Sequence, residues 1–357
     1  MTDRKHNIFG VIPTDKVGWR SPSNIALVKY WGKKSGQIPA NASLSLSLKE
    51  SVSETIITFS PAKEKDFKID FYLDNEIQEQ FSKKIKTYLE SILHSMPFIA
   101  QLDFKIESKN TFPHSAGIAS SASGMSAIAL CLCDIERKYF DKDSSDEKFF
   151  QRASYFARLG SGSAARSIYG GISLWGEVEG IRSSSNKFAI NIDKDSDDIY
   201  KSFHDSILIV DSSEKKVSSS LGHSLMTNNT YATNRFLQAN ENIKTILKIL
   251  KTGDLKSFIN IVESEALTLH SMMMTSNPYF ILMKPNTISI IEKIWEFRKE
   301  TDVPVCFTLD AGPNVHILYP DPFEQKVKSF IESELLKFTY NNVVIHDNVG
   351  NGPEKIV

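Results

Sequence analysis

An alternating stretch near the start of the chain constrains the fold more than any other feature. Residues 41–59 read NASLSLSLKESVSETIITF, in which apolar residues alternate with small polar ones. A period of two is typical of β-strands that bury one face and keep the other polar, as in antiparallel sheets. We therefore predict half-buried antiparallel strands in this part of the chain.

Helices are expected between further strands. Residues 76–95 are amphipathic, and residues 121–139 carry so much Ala, Met, Ile and Leu that a helix there would be buried on almost every side. Other helices are expected over 146–158, 233–251, 254–272 and 286–300, and short strands over 104–108, 170–178, 205–211, 303–309 and 314–319. Because strands and helices mix without regular alternation, we predict an α+β fold rather than a doubly wound parallel sheet.

The domain organisation follows from length and from one polar segment. A chain of 357 residues has room for two or three domains of ordinary size. Residues 181–198 are rich in Ser, Asn and Asp, which indicates a surface loop or a domain boundary. We predict an irregular extension over residues 1–20, a first α+β domain over 21–195 and a second over 196–357.

Composition excludes several classes of protein. Lys and Arg total 42 and Asp and Glu total 43, for a net charge of −1, whereas broad nucleic-acid binding would need a basic surplus. The three cysteines are too few for a disulfide scaffold. The sequence has no apolar signal segment and no run near the ~18 apolar residues of a membrane-spanning helix. We expect a soluble cytoplasmic protein that binds a small molecule, with neither nucleic acid nor a membrane as partner.

A run of small residues precedes the long apolar helix. Residues 112–124 read FPHSAGIASSASG. Free N–H groups and the positive dipole end at a helix N-terminus bind phosphates, and Ser120, Ser121 and Ser123 add hydroxyls for phosphate oxygens or Mg²⁺. An ordinary core helix capped by serine would give the same pattern, and the segment is neither a Walker A loop nor a G-x-G-x-x-G fingerprint.

Two cations lie beside aromatic residues early in the chain. Residues 21–33 read SPSNIALVKYWGK, in which an apolar strand delivers Lys29 and Lys33. Two cations in such a place suit a multiply charged small anion, although lysines at strand ends are usually solvated. Asn24 could bind a ligand or satisfy a turn.

Two later segments present charged residues among small, turn-forming residues. Residues 157–171 surround Arg158 and Arg166 with glycines and serines, so either guanidinium could grip a carboxylate or phosphate bidentately, or both could lie on a solvated loop. Residues 309–314 read LDAGPN. An acid at a strand end, here Asp310, can act as a base or an electrostatic partner, but the same residues also make an ordinary turn.

Taken together, these segments resemble the mevalonate diphosphate decarboxylase family of the GHMP kinase superfamily. The matches, in the family's order and at its spacing, are SPSNIALVKYWGKK at 21–34, IPANASLSLSL at 38–48, FPHSAGIASSASG at 112–124, RLGSGSAARSIYGG at 158–171 and DAGPN at 310–314. The resemblance implies a ribosomal-protein-S5-like N-terminal domain, a ferredoxin-like C-terminal domain and an active cleft between them. It also implies ATP, Mg²⁺ and a homodimer.

The family's reaction is what the resemblance implies for this chain. It is ATP-dependent decarboxylation of (R)-5-diphosphomevalonate to isopentenyl diphosphate, ADP, phosphate and CO₂, through phosphorylation of the C3 hydroxyl. A decarboxylase of the 5-monophosphate and a mevalonate 3-kinase are alternatives in the same superfamily. A non-catalytic ligand-binding homologue would be expected to have lost charged site residues that this chain keeps.

The resemblance also implies a role for each matched residue. Asp310 orients or deprotonates the C3 hydroxyl, Arg166 holds the substrate carboxylate, and Lys29 lies near the hydroxyl and the transferred phosphate. The residues expected to bind the rest of the substrate are Asn24, Tyr30, Lys33, Ser161 and Ser163. Those expected to bind the ATP phosphates are Gly117, Ala119, Ser120, Ser121 and Ser123, with Ser121 also a candidate Mg²⁺ ligand.

Overall fold

Two long antiparallel strands form the centre of the first of two sheets. A computed structural model describes residues 12–113, 118–213 and 219–357 of the chain. Strand β1 (Asp15–Val28) pairs with β2 (Ser43–Pro61) along its whole length, from Asp15 opposite Phe59 to Val28 opposite Leu44. The alternation over residues 41–59 correctly predicted β2. Residues 15–20, expected to be irregular, instead form the first half of β1.

The partner of β2 on its other side changes along the strand. Its first residues pair with β6 and its last residues with β5, and the path through the sheet runs β12-β1-β2-β5-β3-β4, with β7 beyond β6. In chain order these strands are β3 (Ile69–Leu73), β4 (Glu76–Ile77), β5 (Leu102–Asn110), β6 (Ile172–Trp175), β7 (Ala189–Asn191) and β12 (Glu354–Lys355). Strand β12, from the end of the chain, returns to pair with Trp19 and Arg20.

The expectation of a half-buried strand fails for the start of β2. Residues 43–48 are buried on both faces, because the serine side chains there find partners inside the protein. The hydroxyl of Ser47 donates to the carbonyl oxygen of Gly350 at 2.9 Å, and that of Ser43 to the carbonyl oxygen of Trp175 at 3.4 Å. The later part of β2 alternates between buried and half-buried residues, as predicted.

Three helices cover the first sheet. They are α1 (Glu79–Ile92), α2 (Ser120–Tyr139) and α3 (Asp146–Gly160), close to the predicted ranges. Buried residues of all three pack with β1, β2 and β5 in one hydrophobic core. Helix α2 is buried along most of its length, as its apolar composition predicted.

The second sheet has four antiparallel strands in the order β11-β8-β10-β9. The strands are β8 (Phe203–Leu208), β9 (Cys306–Leu309), β10 (Val315–Pro320) and β11 (Val344–Asn348), and the helices around them are α4 (Ser219–Leu225), α5 (Ala232–Thr252), α6 (Leu255–Met274), α7 (Pro285–Thr301) and α8 (Glu324–Phe330). Helices connect β8 to β9 and β10 to β11, so the connectivity is the β-α-β-β-α-β of a ferredoxin-like unit. The predicted α+β class is confirmed.

A second hydrophobic core joins the two sheets. Leu27 of β1 and Leu44 of β2 belong to the same buried cluster as Ile207 of β8 and Phe258 of α6. Asp347 of β11 adds a polar link, since its carboxylate accepts the N–H groups of residues 49, 50 and 51 at 2.7–2.9 Å. The ends of β1 and β9 lie next to each other, where the hydroxyl of Thr308 donates to the carbonyl oxygen of Ala26 at 3.4 Å. Within the described ranges, no helix is both long and apolar enough to cross a bilayer.

We expect Leu44→Ala to lower the free energy of unfolding by about 2–5 kcal/mol, because it leaves a cavity in the core that joins the sheets. Leu44 has no exposed surface, whereas Leu237 on α5 is 60% exposed. Leu237→Ala is therefore the matched control and should change stability by less than about 0.5 kcal/mol. Urea denaturation of both variants measures the difference, and equal losses would contradict a shared core at this position.

Candidate active site

Lys29 lies at the end of β1 and is 1% exposed. Its ammonium Nζ donates to the carbonyl oxygen of Ala26 at 2.5 Å, and its main-chain N–H donates to Oε2 of Glu265 at 2.9 Å. Burial lowers the pKa of Lys29 to about 8, while the negative charges of Asp310 and Glu265 act in the opposite direction. The side chain is therefore a largely protonated but readily titrated cation near neutral pH.

Arg166 lies in a 3-10 segment, Gly162–Ile168, and is 2% exposed. Its Nη1 donates to the hydroxyl of Ser43 at 2.6 Å and its Nε to the hydroxyl of Ser45 at 3.0 Å. These hydroxyls belong to the buried serine face of β2, which explains why that face is polar yet excluded from solvent. Burial lowers the pKa of Arg166 to about 10, and the charge of Asp310 partly offsets this, so the guanidinium stays charged.

Asn24 supports Arg166 from β1. Its Oδ1 accepts from Nε of Arg166 at 3.4 Å, and its Nδ2 donates to the hydroxyl of Ser167 at 2.7 Å and to the carbonyl oxygen of Ser163 at 3.3 Å. Both ends of the Asn24 amide are thus engaged within the protein. The residue was expected to bind substrate, and the structure places it against Arg166 instead.

Asp310 follows β9 directly and is half-buried. The strand that carries Asp310 ends beside Ala26 of β1. The Lys29 ammonium donates to the carbonyl oxygen of Ala26, and Arg166 bonds to the β2 residue that pairs with Ala26. At this distance the negative charge of Asp310 opposes the lowering of the pKa of Lys29 and Arg166 by burial. Lys29 comes from the first sheet, Asp310 from the second and Arg166 from the 3-10 segment between them in sequence. The structure therefore brings together the three residues that the sequence predicted as catalytic.

An aromatic cluster borders these charges. The ring of His223, on α4, lies 4.3 Å from the ring of Tyr30 and 4.6 Å from that of Trp31, centroid to centroid. Its Nδ1 accepts the main-chain N–H of Gly32 at 3.0 Å, and burial lowers its pKa to about 3, so the ring is neutral. The hydroxyl of Tyr30 and Nε1 of Trp31 are buried with no hydrogen-bond partner among the described residues.

The other predicted substrate-binding residues surround Tyr30. Ser161 and Ser163 are half-buried at the start of the 3-10 segment. Between them, a Cβ added to Gly162 would lie 2.8 Å from the Tyr30 ring, so glycine is needed for that close packing. Lys33 is half-buried, and its Nζ donates to Oε1 of Gln37 at 3.1 Å.

The predicted phosphate-binding segment divides into two parts at the start of α2. Ala119 has a left-handed φ of 42°, and Ser120 and Ser121, half-buried and exposed respectively, begin the helix. Ser123 faces the core, where its hydroxyl lies 2.7 Å from that of Ser53, so it is not available to a phosphate. Gly117 lies outside the described residues.

The sequence leaves Arg158 either gripping an anion or lying on a solvated loop, and in the structure it bonds to the main chain instead. Its Nε donates to the carbonyl oxygen of Lys187 at 2.8 Å, and its Nη1 donates to the carbonyl oxygen of Gly36. The guanidinium therefore ties the loop at residues 32–39 to the segment before β7. Small residues around an arginine did not reveal whether it faces a ligand or the main chain.

Sequence reasoning missed four buried polar residues around Lys29 and Asp310. They are His223 on α4, Arg235 on α5, and Glu265 and His270 on α6. The only sequence signal was the presence of charged and titratable residues within the otherwise apolar pattern of α6, VESEALTLH at 262–270. That pattern identified a helix, but it did not indicate which polar residues face another element.

Comparison with known proteins identifies the family. A family model described as the diphosphomevalonate decarboxylase-like N-terminal domain matches residues 21–187, and one described as the mevalonate 5-diphosphate decarboxylase C-terminal domain matches residues 206–351. The diphosphomevalonate decarboxylase of Debaryomyces hansenii is 30% identical over 334 residues, which cover 87% of this chain and 81% of that protein. That of Saccharomyces cerevisiae is 29% identical over 333 residues, covering 87% and 79%.

Two solved structures share the fold over nearly the full length. The mevalonate diphosphate decarboxylase of Staphylococcus aureus has a TM-score of 0.83 at 28% identity, and the match covers 96% of this chain and 98% of that one. A structure of MDDEF in complex with MVAPP, AMPPCP and magnesium has a TM-score of 0.81 at 28% identity, covering 96% and 99%. The chain belongs to the diphosphomevalonate decarboxylase family.

Proposed function

We propose that this protein catalyses the ATP-dependent decarboxylation of (R)-5-diphosphomevalonate to isopentenyl diphosphate, ADP, phosphate and CO₂. The observation that carries the proposal is the convergence of Lys29, Arg166 and Asp310, two buried cations and a carboxylate from different parts of the fold, around Ala26 of β1. The names of the relatives support the reaction, and the MVAPP and AMPPCP bound by MDDEF support the substrate and ATP.

The chemistry requires the C3 hydroxyl to become a better leaving group. The Asp310 carboxylate orients this hydroxyl and accepts its proton as the oxygen attacks the γ-phosphorus of ATP, and the bond from that phosphorus to the bridging oxygen breaks, so ADP leaves with the electron pair. The C3–O bond then breaks and phosphate departs with the electron pair. As positive charge develops at C3, the bond to the carboxylate releases CO₂, and its electrons form the new double bond.

The two cations serve different parts of this reaction. The planar guanidinium of Arg166 suits the substrate carboxylate, which it can bind bidentately and hold beside C3. The ammonium of Lys29 stabilises negative charge on the transferred phosphoryl group, and its burial strengthens that interaction relative to water. Both side chains are fixed by hydrogen bonds before substrate arrives, so little reorganisation is needed.

The diphosphate of the substrate is assigned to Tyr30, Lys33, Ser161 and Ser163. The unpartnered hydroxyl of Tyr30 supports this assignment, because a buried hydroxyl without a partner is costly unless a ligand satisfies it. Lys33 supplies the positive charge at the mouth of this region.

The ATP phosphates are assigned to the main-chain N–H groups and hydroxyls at residues 119–121, where α2 begins. The exposed hydroxyl of Ser121 is an oxygen donor of the type that Mg²⁺ accepts beside phosphate oxygens and water. When bound, Mg²⁺ would neutralise charge on the transferred phosphoryl group.

The proposal also includes a homodimer, a cytoplasmic location and a domain boundary near residue 195. These three parts rest on the sequence patterns and the family resemblance.

A product assay tests the proposed reaction. With ATP and Mg²⁺, we expect equal amounts of CO₂ and ADP from 5-diphosphomevalonate, and neither product from mevalonate or its 5-phosphate. ADP without CO₂ would indicate a 3-kinase, and a preference for the 5-phosphate would indicate the monophosphate decarboxylase. If neither CO₂ nor ADP formed from any of the three substrates, the result would contradict the proposal.

Replacing Asp310 by Asn should lower kcat by about 10²–10⁴-fold, because the amide keeps the shape of the carboxylate but cannot accept the proton. The affinity for an ATP analogue should change little, and calorimetry measures it. Asp302→Asn is the control, since Asp302 ends α7 in a left-handed conformation that asparagine tolerates. Turnover of Asp310→Asn within a few fold of the parent would remove Asp310 from its assigned role.

Activity should fall as the pH rises above about 8. Only the protonated form of Lys29 stabilises a phosphoryl group, and its pKa is lowered to about 8 by burial; the cation is therefore present below this pH and lost above it. A pH profile of kcat/KM measures this fall, which is the alkaline limb of the profile. Lys29→Arg, whatever its absolute rate, should lack this alkaline limb, because arginine stays protonated. An unchanged limb in Lys29→Arg would assign the titration to another group.

A further inference from the structure

Helix α6 forms hydrogen bonds to the main chain of two proposed catalytic residues, Lys29 after β1 of the first sheet and Asp310 after β9 of the second. Oε2 of Glu265 accepts the N–H of Lys29 at 2.9 Å, and Nε2 of His270 lies 3.1 Å from the carbonyl oxygen of Asp310. Glu265 and His270 are five residues apart on this one helix. A single rigid element thus meets the chain where β1 ends and where β9 ends.

Glu265 is itself held firmly from behind. Its side chain has no exposed surface. Both carboxylate oxygens accept from the guanidinium of Arg235 on α5, with Nη1 to Oε1 at 2.9 Å, and Nδ2 of Asn242 donates to Oε1 at 2.6 Å. A buried carboxylate held by a bidentate arginine and an amide has little freedom to move, so it is a fixed acceptor for the Lys29 N–H.

His270 is a neutral donor. It is 1% exposed, and burial lowers its pKa to about 4. Because the carbonyl oxygen of Asp310 can only accept a hydrogen bond, the ring proton must lie on Nε2. Nδ1 is then an acceptor, and it has no hydrogen-bond partner among the described residues. The ring therefore fixes the turn that carries Asp310 without adding a positive charge beside Lys29.

We propose that Glu265 and His270 are positioning residues through which α6 sets the placement of Lys29 relative to Asp310. The inference rests on the proposed function, since it assigns these residues to the same site. It explains why these two polar side chains are buried on a helix that packs mainly through apolar residues: each makes a hydrogen bond to a residue that carries the chemistry.

The charge of Glu265 gives this proposal a measurable signature. The charged groups that act on Lys29 come from several elements: Asp310 after β9, Glu265 on α6, Arg166 in the 3-10 segment and Asp205 on β8, with Arg235 of α5 behind Glu265. Glu265 favours the protonated form of Lys29. Removing its charge should therefore lower the pKa of Lys29 and move the alkaline limb of activity to lower pH.

Glu265→Gln tests this against a matched variant on the same helix. Glu263, two residues earlier, is also held bidentately by an arginine, since Nη1 and Nη2 of Arg298 donate to its two oxygens at 2.7 and 3.0 Å. It faces α7 and the start of β9, where it accepts the N–H of Phe307 at 3.4 Å, and it has no contact with Lys29 or Asp310 among the hydrogen bonds of the described residues. We expect Glu265→Gln to move the alkaline limb down by about one pH unit and to lower kcat by about ten- to a hundredfold. Glu263→Gln should leave the limb in place. Equal limbs and equal kcat in the two variants would overturn the role of Glu265.

His270 provides a second test that does not depend on a buried ion pair. The side-chain N–H of Gln can take the place of Nε2–H, whereas Leu cannot donate. We expect His270→Gln to keep kcat within about threefold and His270→Leu to lose about tenfold or more, with KM for ATP little changed in both. Equal kcat in the two variants would show that the hydrogen bond to Asp310 has no positioning role.

Crystal structures of Glu265→Gln and His270→Leu separate this proposal from the proposed function. A parent protein that released no CO₂ would overturn the decarboxylase reaction alone. Displacement of Lys29 in the first variant, or of Asp310 in the second, would support the placement by α6 even then. Unchanged positions of both residues would overturn it, whatever the parent protein's activity.

Discussion

The burial of positive charge where the two sheets meet is the constraint on which the rest of the structure depends. Lys29 and Arg166 are both almost fully removed from solvent, and an isolated buried cation is too costly to keep unless hydrogen bonds and nearby anions compensate it. The compensation comes from Asp310, from Glu265 and from the serine hydroxyls of β2. These groups arise from distant parts of the sequence, so the site exists only when both halves of the chain are folded together.

The core between the two sheets and a few polar contacts hold the residues of the site in place. The core shared by β1, β2, β8 and α6 fixes the strand ends that carry Lys29 and Asp310, and Asp347 ties β11 to the middle of β2. Helix α6 then contacts both ends through polar side chains. The buried aromatic cluster of Tyr30, Trp31 and His223 begins directly after Lys29 in the chain, and a buried setting of this kind strengthens interactions between charges.

The sequence predicted the elements and the charged residues better than it predicted their surroundings. Periodicity predicted β2 and apolar composition predicted α2, and the family resemblance selected Lys29, Arg166 and Asp310, which lie together. Periodicity did not reveal that the serine face of β2 is buried against Arg166, because a period of two is the same whether the polar face contacts water or a guanidinium. For Ser123, Arg158 and Glu265, residue type gave the chemistry, but tertiary contacts with residues far away in sequence decide which way each side chain faces.

A double-mutant cycle on kcat/KM for decarboxylation tests most directly whether Lys29 and Asp310 act as one unit. The cycle compares the parent with Lys29→Met, Asp310→Asn and the double variant. If both groups act on the same phosphoryl transfer, the double variant should be about as slow as the slower single variant, because either loss already disables the unit. Losses that simply multiply would show that the two residues contribute independently, and would contradict a shared site between the two sheets.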